Sequence, residues 1–180
     1  SGSVTVLAFD FGLRRIGVAI GNTLTTTARP LTTLAARNGV PDWTQISRIF
    51  GEYLPALCLV GIPYNMDGSE GPQAQTTRKW AMRLAQALRT LLGRPLPVIF
   101  WDERLTTFAA QELMAEPAAG LAASLGGKHA KDVGEDAVAA AVILRAYLDA
   151  AAAGEPLAYG RIDLPPRPSS TASSSAPAGI

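Results

Sequence analysis

Apolar runs of strand length, separated by turn residues, dominate the first part of the chain. The run at residues 4–9 is followed after a short turn by a second apolar stretch, which predicts a β-hairpin. A third stretch carries Pro30, which indicates an edge strand because proline donates no ladder hydrogen bond. Two later continuous runs predict strands covered on both faces. The five predicted strands lie near residues 4–9, 14–22, 28–36, 56–63 and 96–105.

Apolar spacing of three and four residues predicts helices between and after these strands. The first has Asp42 as its N-cap and an apolar face made of Trp43, Ile46, Ile49, Phe50, Tyr53 and Leu54. The second, at residues 76–93, has an inward face and a C-terminal stop at Gly93. Its inward residues are Leu84, Leu88 and Leu91. Further helices are expected at about residues 107–115 and 133–153, with a glycine-containing loop at 120–131.

This order of elements predicts an α/β fold. Three consecutive strands followed by alternating helices and strands favour a five-stranded mixed sheet, in the order 3-2-1-4-5, with helices on both faces. Residues 4–163 are expected to form one domain. Residues 1–3 are expected to be a remnant of cloning, and residues 164–180 a disordered tail rich in Pro, Ser and Ala.

Composition restricts the kind of site that the domain can hold. Hydrophobic residues make up 48% of the chain, charged residues 17%, and the net charge is +1, which is typical of a globular protein and neither requires nor excludes nucleic acid. The single Cys58 excludes an internal disulfide, and one histidine, His129, excludes a His/Cys zinc cage. We expect a cytoplasmic protein with no membrane segment, because no apolar run approaches about 18 residues.

Acidic residues follow or face apolar structure at three places. Asp10 ends the first strand, and Asp102, Glu103 and Arg104 form the "DER" that ends the fifth. Asp136 shares the apolar stripe of the last predicted helix. Each has a structural alternative: a turn, a strand-end salt bridge and a helix cap. If the three acids converge at one end of the sheet, however, they suit Mg²⁺ or Mn²⁺, which prefer oxygen ligands.

Residues that suit contact with a nucleic-acid backbone surround these acids. The loop "GIPYNMDGSEGPQA" follows the fourth strand and offers glycines and small polar groups that can approach a phosphate closely. An ordinary polar loop and solvated surface charges are the alternatives. The candidate nucleic-acid contacts are Arg14, Arg15, Asn65, Asp67, Gly68, Ser69, Arg78, Arg104, Lys128 and Lys131.

Four segments together resemble a known family. "AFDFGLRRIGVAIGN", "LVGIPYNMDGSEGPQA", "FWDERLTT" and "EDAVAAAVIL" are similar, in this order, to the motifs of the YqgF/RuvX family. The resemblance covers about residues 4–150 and implies an RNase H-like nuclease that acts on Holliday junctions or on the 16S rRNA precursor. It also implies that Asp10, Glu103 and Asp136 are the catalytic, metal-binding acids. Two metal ions in such a site activate water and stabilise the leaving oxygen.

One position departs from the family pattern. The family commonly has a lysine two residues before its helical aspartate, where this chain has Gly134. Asp132, expected one helical turn before Asp136, is consequently a rival or additional metal ligand.

Other function classes remain open at this point. A sugar-kinase-like or actin-like ATPase also places Asp-x-Gly after a strand, but it needs two such domains. A non-catalytic module that binds nucleic acid or a ribosome precursor is another alternative. The sequence does not decide between structured RNA and branched DNA as the partner, or between a monomer and a homodimer.

Overall fold

A computed structural model of the chain describes residues 3–106, 110–112, 128–155 and 159–168, with the backbone alone for residues 128–133. The strands are β1 (Thr5–Asp10), β2 (Arg15–Asn22), β3 (Thr27–Arg37), β4 (Val40–Pro41), β5 (Leu57–Ile62), β6 (Val98–Asp102) and β7 (Arg161–Ile162). The helices are α1 (Trp43–Tyr53), α2 (Pro72–Leu92) and α3 (Lys128–Ala152), and Glu103–Leu105 forms a 3₁₀ turn.

These strands form a mixed sheet in the order β4-β3-β2-β1-β5-β6-β7. β1 pairs antiparallel with β2 and parallel with β5, and β5 pairs parallel with β6. The expectation of five strands in the order 3-2-1-4-5 is therefore corrected to seven strands. The two additions, β4 and β7, are two-residue strands at opposite edges, too short to leave a hydrophobic pattern. The expectation of an α/β fold with helices packed on the sheet is confirmed.

The first helix begins where the sequence indicates, whereas α2 begins at Pro72, four residues before its expected start at residue 76. Asp42 caps α1 by accepting a hydrogen bond from the Thr44 amide at 2.9 Å. Leu54 was expected on the apolar face, but it is the left-handed C-cap of α1 and is 72% exposed. Gly93 ends α2 in the left-handed conformation, as predicted. Leu91, which was expected to point inward, is 41% exposed.

The last helix differs from its prediction. It begins at Lys128 instead of near residue 133, and its backbone is non-helical at Gly134, with φ 79° and ψ 169°. Lys128 and Lys131 are therefore helical, although a loop was expected there. Asp132 and Asp136 lie on opposite sides of the kink, so the assumption of one continuous helical turn between them is wrong. Of the helix expected at residues 107–115, only 110–112 are described, and these are helical.

The C-terminal part of the described chain covers the β6 edge of the sheet. β7 pairs antiparallel with β6, and Leu164 packs against the hydrophobic core. Arg89 on α2 donates a hydrogen bond to the Pro165 carbonyl at 2.9 Å. The expected disordered tail thus begins with ordered residues 164–168, and its remainder, 169–180, lies outside the described residues. Within the described ranges, no helix is both long and apolar enough to span a bilayer.

Candidate active site

Two carboxyl groups meet at the carboxyl end of the parallel strands. Asp10 is the last residue of β1, and Glu103 opens the 3₁₀ turn directly after β6. Both strands run parallel to β5, which lies between them, so these two ends share one edge of the sheet. The two side chains are hydrogen-bonded to each other.

A glycine in the intervening strand makes this meeting possible. A Cβ atom on Gly61 would lie 3.0 Å from Cγ and 3.1 Å from Oε1 of Glu103. It would also come within 2.8 Å of Ile143 Cδ1 on α3. Gly61 therefore leaves the space through which Glu103 reaches across β5 toward Asp10. The sequence analysis did not assign this role to Gly61, although an isolated glycine inside a strand signals a close approach.

Burial and mutual repulsion hold the two acids close to their protonated forms. The pKa of Asp10 is raised to about 6, mainly by burial and also by the charge of Asp136, whereas the hydrogen bond with Glu103 opposes the shift. The pKa of Glu103 is raised to about 7 by burial, by the charge and hydrogen bond of Asp10, and by the charge of Asp102. Such a pair shares a proton near neutral pH, because two adjacent buried carboxylates repel each other.

The third acid reaches the site because α3 lies directly on β2. Asp10 is paired across the ladder with Gly17, and a Cβ atom on Gly17 would lie 1.9 Å from the Asp136 carbonyl oxygen. Any side chain at this position would therefore displace the helix. The carboxylate of Asp136 accepts a hydrogen bond from Arg15 Nε at 3.0 Å, in an ion pair that is partly exposed. Gly17 is a second residue whose role the sequence analysis missed.

The donor set fits a divalent cation, with two of the three acids already in contact. Carboxylate oxygens are the ligands that Mg²⁺ and Mn²⁺ prefer, and a cation would relieve the repulsion that raises the pKa of Asp10 and Glu103. Across the described part of the chain, no three Asp, Glu, His or Cys side chains form a ready-made metal cluster. Asp136 is paired with Arg15 instead, so it would have to exchange this partner for a metal. The Asp132 side chain lies outside the described residues.

Arg104 joins the turn that carries Glu103 to the neighbouring loop. Its guanidinium donates to both carboxylate oxygens of Asp102, at 2.7 to 3.1 Å, and to the carbonyls of Asn65 and Met66, both at 3.3 Å. Asp102 is 1% exposed and also accepts the Arg104 amide. All three guanidinium nitrogens are thus engaged within the protein, so a contact of Arg104 with nucleic acid, which stays a prediction, would compete with these bonds. The strand-end salt bridge considered for "DER" exists, but it leaves Glu103 free for the site.

Comparison with known proteins places this chain in a family. A family model described as "RuvX: Holliday junction resolvase" matches residues 4–150. The chain belongs to the RuvX family. A relative from Sodalis glossinidius is 45% identical over 147 residues, which cover 81% of this chain and 94% of the relative. Another from Pseudomonas putida is 41% identical over 148 residues, with the same coverage. Both carry the name "Putative pre-16S rRNA nuclease".

Solved structures share the fold at low sequence identity. Thermus thermophilus RuvC in complex with a Holliday junction substrate aligns with a TM-score of 0.55 and 17% identity, over 84% of this chain and 96% of that one. A second T. thermophilus RuvC structure gives a TM-score of 0.53 and 16% identity. The YqgF/RuvX resemblance read from the four motifs is confirmed, and the fold is RuvC-like.

In this RuvX-family chain, the loop after β5 is held mainly by its own hydrogen bonds. The Asn65 amide donates to the Ser69 carbonyl, and the Gly68 amide donates to the Asn65 carbonyl, each at 2.9 Å. Asp67 accepts both the amide and the hydroxyl of Ser69, at 2.9 and 2.6 Å. These bonds keep the pKa of Asp67 below its usual range, so the carboxylate stays charged. A charged Asp67 would repel a phosphate, which weakens the prediction of a phosphate loop here.

The predicted basic contacts differ in their availability. Arg78 is engaged with Glu70 and the Tyr64 hydroxyl, both at 2.7 Å, and lies over the Phe100 ring. Arg15 is paired with Asp136. Arg14, beside it, is exposed and is a better placed candidate for a phosphate contact. The side chains of Lys128 and Lys131 lie outside the described residues.

A cleft of about 350 Å³ adjoins the acid pair on the α2 side of the sheet. Glu103 forms part of its wall, which places the cleft next to the proposed chemistry. Sequence patterns do not reveal this cleft, because its lining comes from three segments far apart in the chain. The described lining residues are Phe11, Gly12, Leu13, Pro63, Pro72, Gln73, Thr76, Thr77 and Glu103.

Proposed function

We propose that this RuvX-family chain is a divalent-metal-dependent nuclease that hydrolyses phosphodiester bonds in the 5′ region of the 16S rRNA precursor. The observation that carries the proposal is the buried, mutually hydrogen-bonded pair of Asp10 and Glu103, with Asp136 close enough to raise the pKa of Asp10. Nothing in a structural strand end requires two acids to be held together at such a cost. Relatives that share more than two-fifths of their residues carry a pre-16S rRNA nuclease name, which supports the choice of RNA.

The residues of the site have separate tasks in this proposal. Asp10, Glu103 and Asp136 would hold the metal, which when bound supplies water activation and stabilisation of the leaving oxygen. Burial of the acid pair excludes competing water from the ligands. Arg104 and Asp102 keep Glu103 in place by fixing the turn on which it lies. Arg14 would contact the substrate backbone, since its side chain is exposed beside the site.

A four-way DNA junction is the second candidate substrate. It is favoured by the description of the family model and by the junction bound to the RuvC structure of similar fold. Junctions and rRNA precursors present the same phosphodiester to the acids, so surface shape would decide between them. Paired nicking of a junction would favour a symmetric dimer, whereas RNA trimming has no such requirement. Either activity fits a cytoplasmic protein.

The test is a side-by-side cleavage assay with Mg²⁺ or Mn²⁺ on a 16S precursor 5′ leader RNA and a four-way DNA junction. We expect the wild type to cleave the RNA faster, and Asp10→Asn and Glu103→Gln each to abolish cleavage while circular dichroism stays unchanged. Glu52→Gln, which alters an exposed acid on α1, is the matched control and should be fully active. Faster cleavage of the junction would favour the second candidate. Binding without cleavage of either substrate would instead favour the non-catalytic module.

A further inference from the structure

The cleft beside Glu103 has walls unlike those of a phosphate site. Within the described chain, none of its lining residues is a lysine or arginine, and Phe11, Leu13, Pro63 and Pro72 present apolar surface. Its volume of about 350 Å³ falls at the lower end of the range for small-molecule sites, about 300–1,000 Å³. A small, largely apolar group is therefore the chemistry that suits it.

One wall of the cleft is rigid before any ligand binds. The Phe11 ring packs against the buried Trp80, with ring centroids 5.0 Å apart. A Cβ atom on Gly39, whose φ is +81°, would come within 2.8 Å of this ring. Gly12 is equally confined, because a Cβ atom there would lie 2.6 Å from the Arg15 carbonyl oxygen. A preformed wall loses little conformational entropy when a ligand packs on it.

The cleft also offers an exposed apolar side chain and a free amide. Leu13 is 56% exposed in the turn between β1 and β2. The hydroxyls of Thr76 and Thr77 donate to the carbonyls of Pro72 and Gln73, both at 2.9 Å, so these donors are already used. The Gln73 side-chain amide has no hydrogen-bond partner among the described residues, and an amide can both donate to and accept from the edge of a base.

We propose that this cleft receives the unpaired base of a nucleotide next to the scissile phosphate. The inference rests on the proposed function, since a phosphate at Asp10 and Glu103 places the adjoining sugar and base beside the cleft that Glu103 lines. The base would pack on Phe11 and Leu13 and hydrogen-bond to Gln73. A base paired and stacked in a duplex cannot enter, so the enzyme selects nucleotides that are unpaired at the cleavage point.

The first experiment removes the base. The substrate cleaved best in the assay above is made with a single abasic residue at each position flanking the scissile phosphate in turn. We expect one position at which kcat/KM falls roughly five- to hundredfold, the range for loss of one stacked base. Unchanged cleavage with every abasic substrate would overturn the inference and leave the proposed nuclease function intact.

The second experiment truncates two side chains that line the cleft. Leu13→Ala and Gln73→Ala should each weaken substrate binding about fivefold and leave kcat nearly unchanged, and neither should add to the loss caused by the critical abasic residue. The control for Leu13→Ala is Leu24→Ala, because Leu24 is 71% exposed in the turn between β2 and β3, at the other end of the sheet. The control for Gln73→Ala is Gln86→Ala, because Gln86 is also exposed on α2 but lies further along it. Equal losses on the intact and abasic substrates would contradict a contact with the base.

A binding measurement separates failure of this inference from failure of the proposed function. Fluorescence anisotropy compares a short single-stranded RNA, its abasic version and the same sequence as a duplex, with the wild-type protein. We expect the intact single strand to bind most tightly, and Leu13→Ala to remove that preference. This binding measurement tests the cleft even if no substrate is cleaved. Absence of cleavage would reject the proposed nuclease function but not the base cleft. Equal affinity for all three ligands would reject the base cleft.

Discussion

The two faces of the sheet are packed in different ways. Along β1, Leu7 and Phe9 point to a core of large side chains from α1 and α2, in which Phe9 stacks on Phe50 at 6.2 Å. Ala8 points to the other face, where α3 presents alanines interspersed with the larger Ile143, Leu144, Tyr147 and Leu148. The buried alanines of α3 are Ala137, Ala140, Ala141, Ala146 and Ala150. Large side chains separate the first face from its helices, whereas on the second face, at Gly17, helix backbone comes close to strand backbone.

This difference shows how the acids are positioned. Gly17 and Gly21 lie four residues apart on β2, on the face covered by α3, and each would place a Cβ atom in collision with a neighbour. At Gly17 the neighbour is the backbone of Asp136, and Gly17 is the ladder partner of Asp10. The close-packed face therefore sets the separation of two of the proposed metal ligands. The large-residue face stabilises the sheet and supplies the aromatic wall of the cleft.

Filling the close-packed face should have the largest effect. Gly17→Ala places a Cβ atom 1.9 Å from a backbone oxygen, so α3 must move. We expect a loss of about 3 kcal/mol in the free energy of unfolding, measured by urea denaturation, and loss of cleavage. Gly51→Ala on α1 meets nothing within 4 Å and should gain about 0.5–1 kcal/mol. If Gly17→Ala is as stable and active as the wild type, the close approach does not position Asp136.

The second prediction concerns which acid of α3 the close-packed face positions at the metal site. Asp136 follows the Gly134 kink and acts on the pKa of Asp10, whereas Asp132 precedes the kink. Asp136→Asn should reduce the cleavage rate at least about a hundredfold, roughly the effect of removing a group that stabilises charge in the transition state, and Asp132→Asn clearly less. Single-turnover cleavage at saturating Mn²⁺, with metal binding followed by calorimetry, measures both. A greater loss in Asp132→Asn would give Asp132 the catalytic place.

The third prediction concerns Arg104, which links the turn that carries Glu103 to the loop after β5. Arg104→Ala leaves the buried Asp102 carboxylate without its guanidinium, so we expect a loss of about 2 kcal/mol in stability and slower cleavage. Arg104→Lys should rescue neither fully, because lysine cannot make the paired hydrogen bonds. Arg161→Ala, which breaks the exposed pair with Asp163, is the control and should change stability by less than about 0.5 kcal/mol. If Arg104→Ala instead binds nucleic acid more weakly and is as stable as the wild type, Arg104 contacts a phosphate.

The charge of the acid pair is expected to have a smaller effect, on the pH dependence of stability. The folded protein binds protons on Asp10 and Glu103 more tightly than the unfolded chain, because folding raises their pKa values to about 6 and 7. In metal-free buffer, stability should therefore fall as pH rises from about 4 to about 7. Glu103→Gln should raise Tm at pH 8 and change it little at pH 4, whereas Glu52→Gln should do neither. Added Mg²⁺ should stabilise the wild type and not Glu103→Gln. A decrease in Tm for Glu103→Gln at pH 8 would contradict the repulsion.

Sequence reasoning reached the acids but not the means by which they are brought together. Asp10 and Glu103 were predictable because each follows an apolar strand, and Asp136 because it shares an apolar stripe. The roles of Gly17 and Gly61 depend on contacts with α3 and with Glu103 in the turn after β6, which local patterns do not contain. Two of the groups that Arg104 contacts, the carbonyls of Asn65 and Met66, likewise come from a loop some forty residues earlier in the chain. Edge strands β4 and β7 are too short for a periodic signal.

The smallest effect on stability is expected from removing the part of the C-terminal segment that follows Leu164, where contacts with the large-residue face end. Tyr159, Ile162 and Leu164 pack against that core. Residues 165–168 are exposed and contribute two hydrogen bonds, from Arg89 to the Pro165 carbonyl and from Arg167 to the Thr90 hydroxyl. Deleting residues 165–180 should leave Tm nearly unchanged, because little apolar surface is lost.

Deleting residues 159–180 should lower Tm by several degrees, because this cut also removes β7 and the three core contacts. Differential scanning calorimetry of the two truncated proteins beside the full chain makes the comparison. A marked drop in Tm for the shorter deletion would mean that the segment after Leu164 packs on the domain. Equal stability of both truncated proteins would mean that the large-residue face is complete without its C-terminal cover.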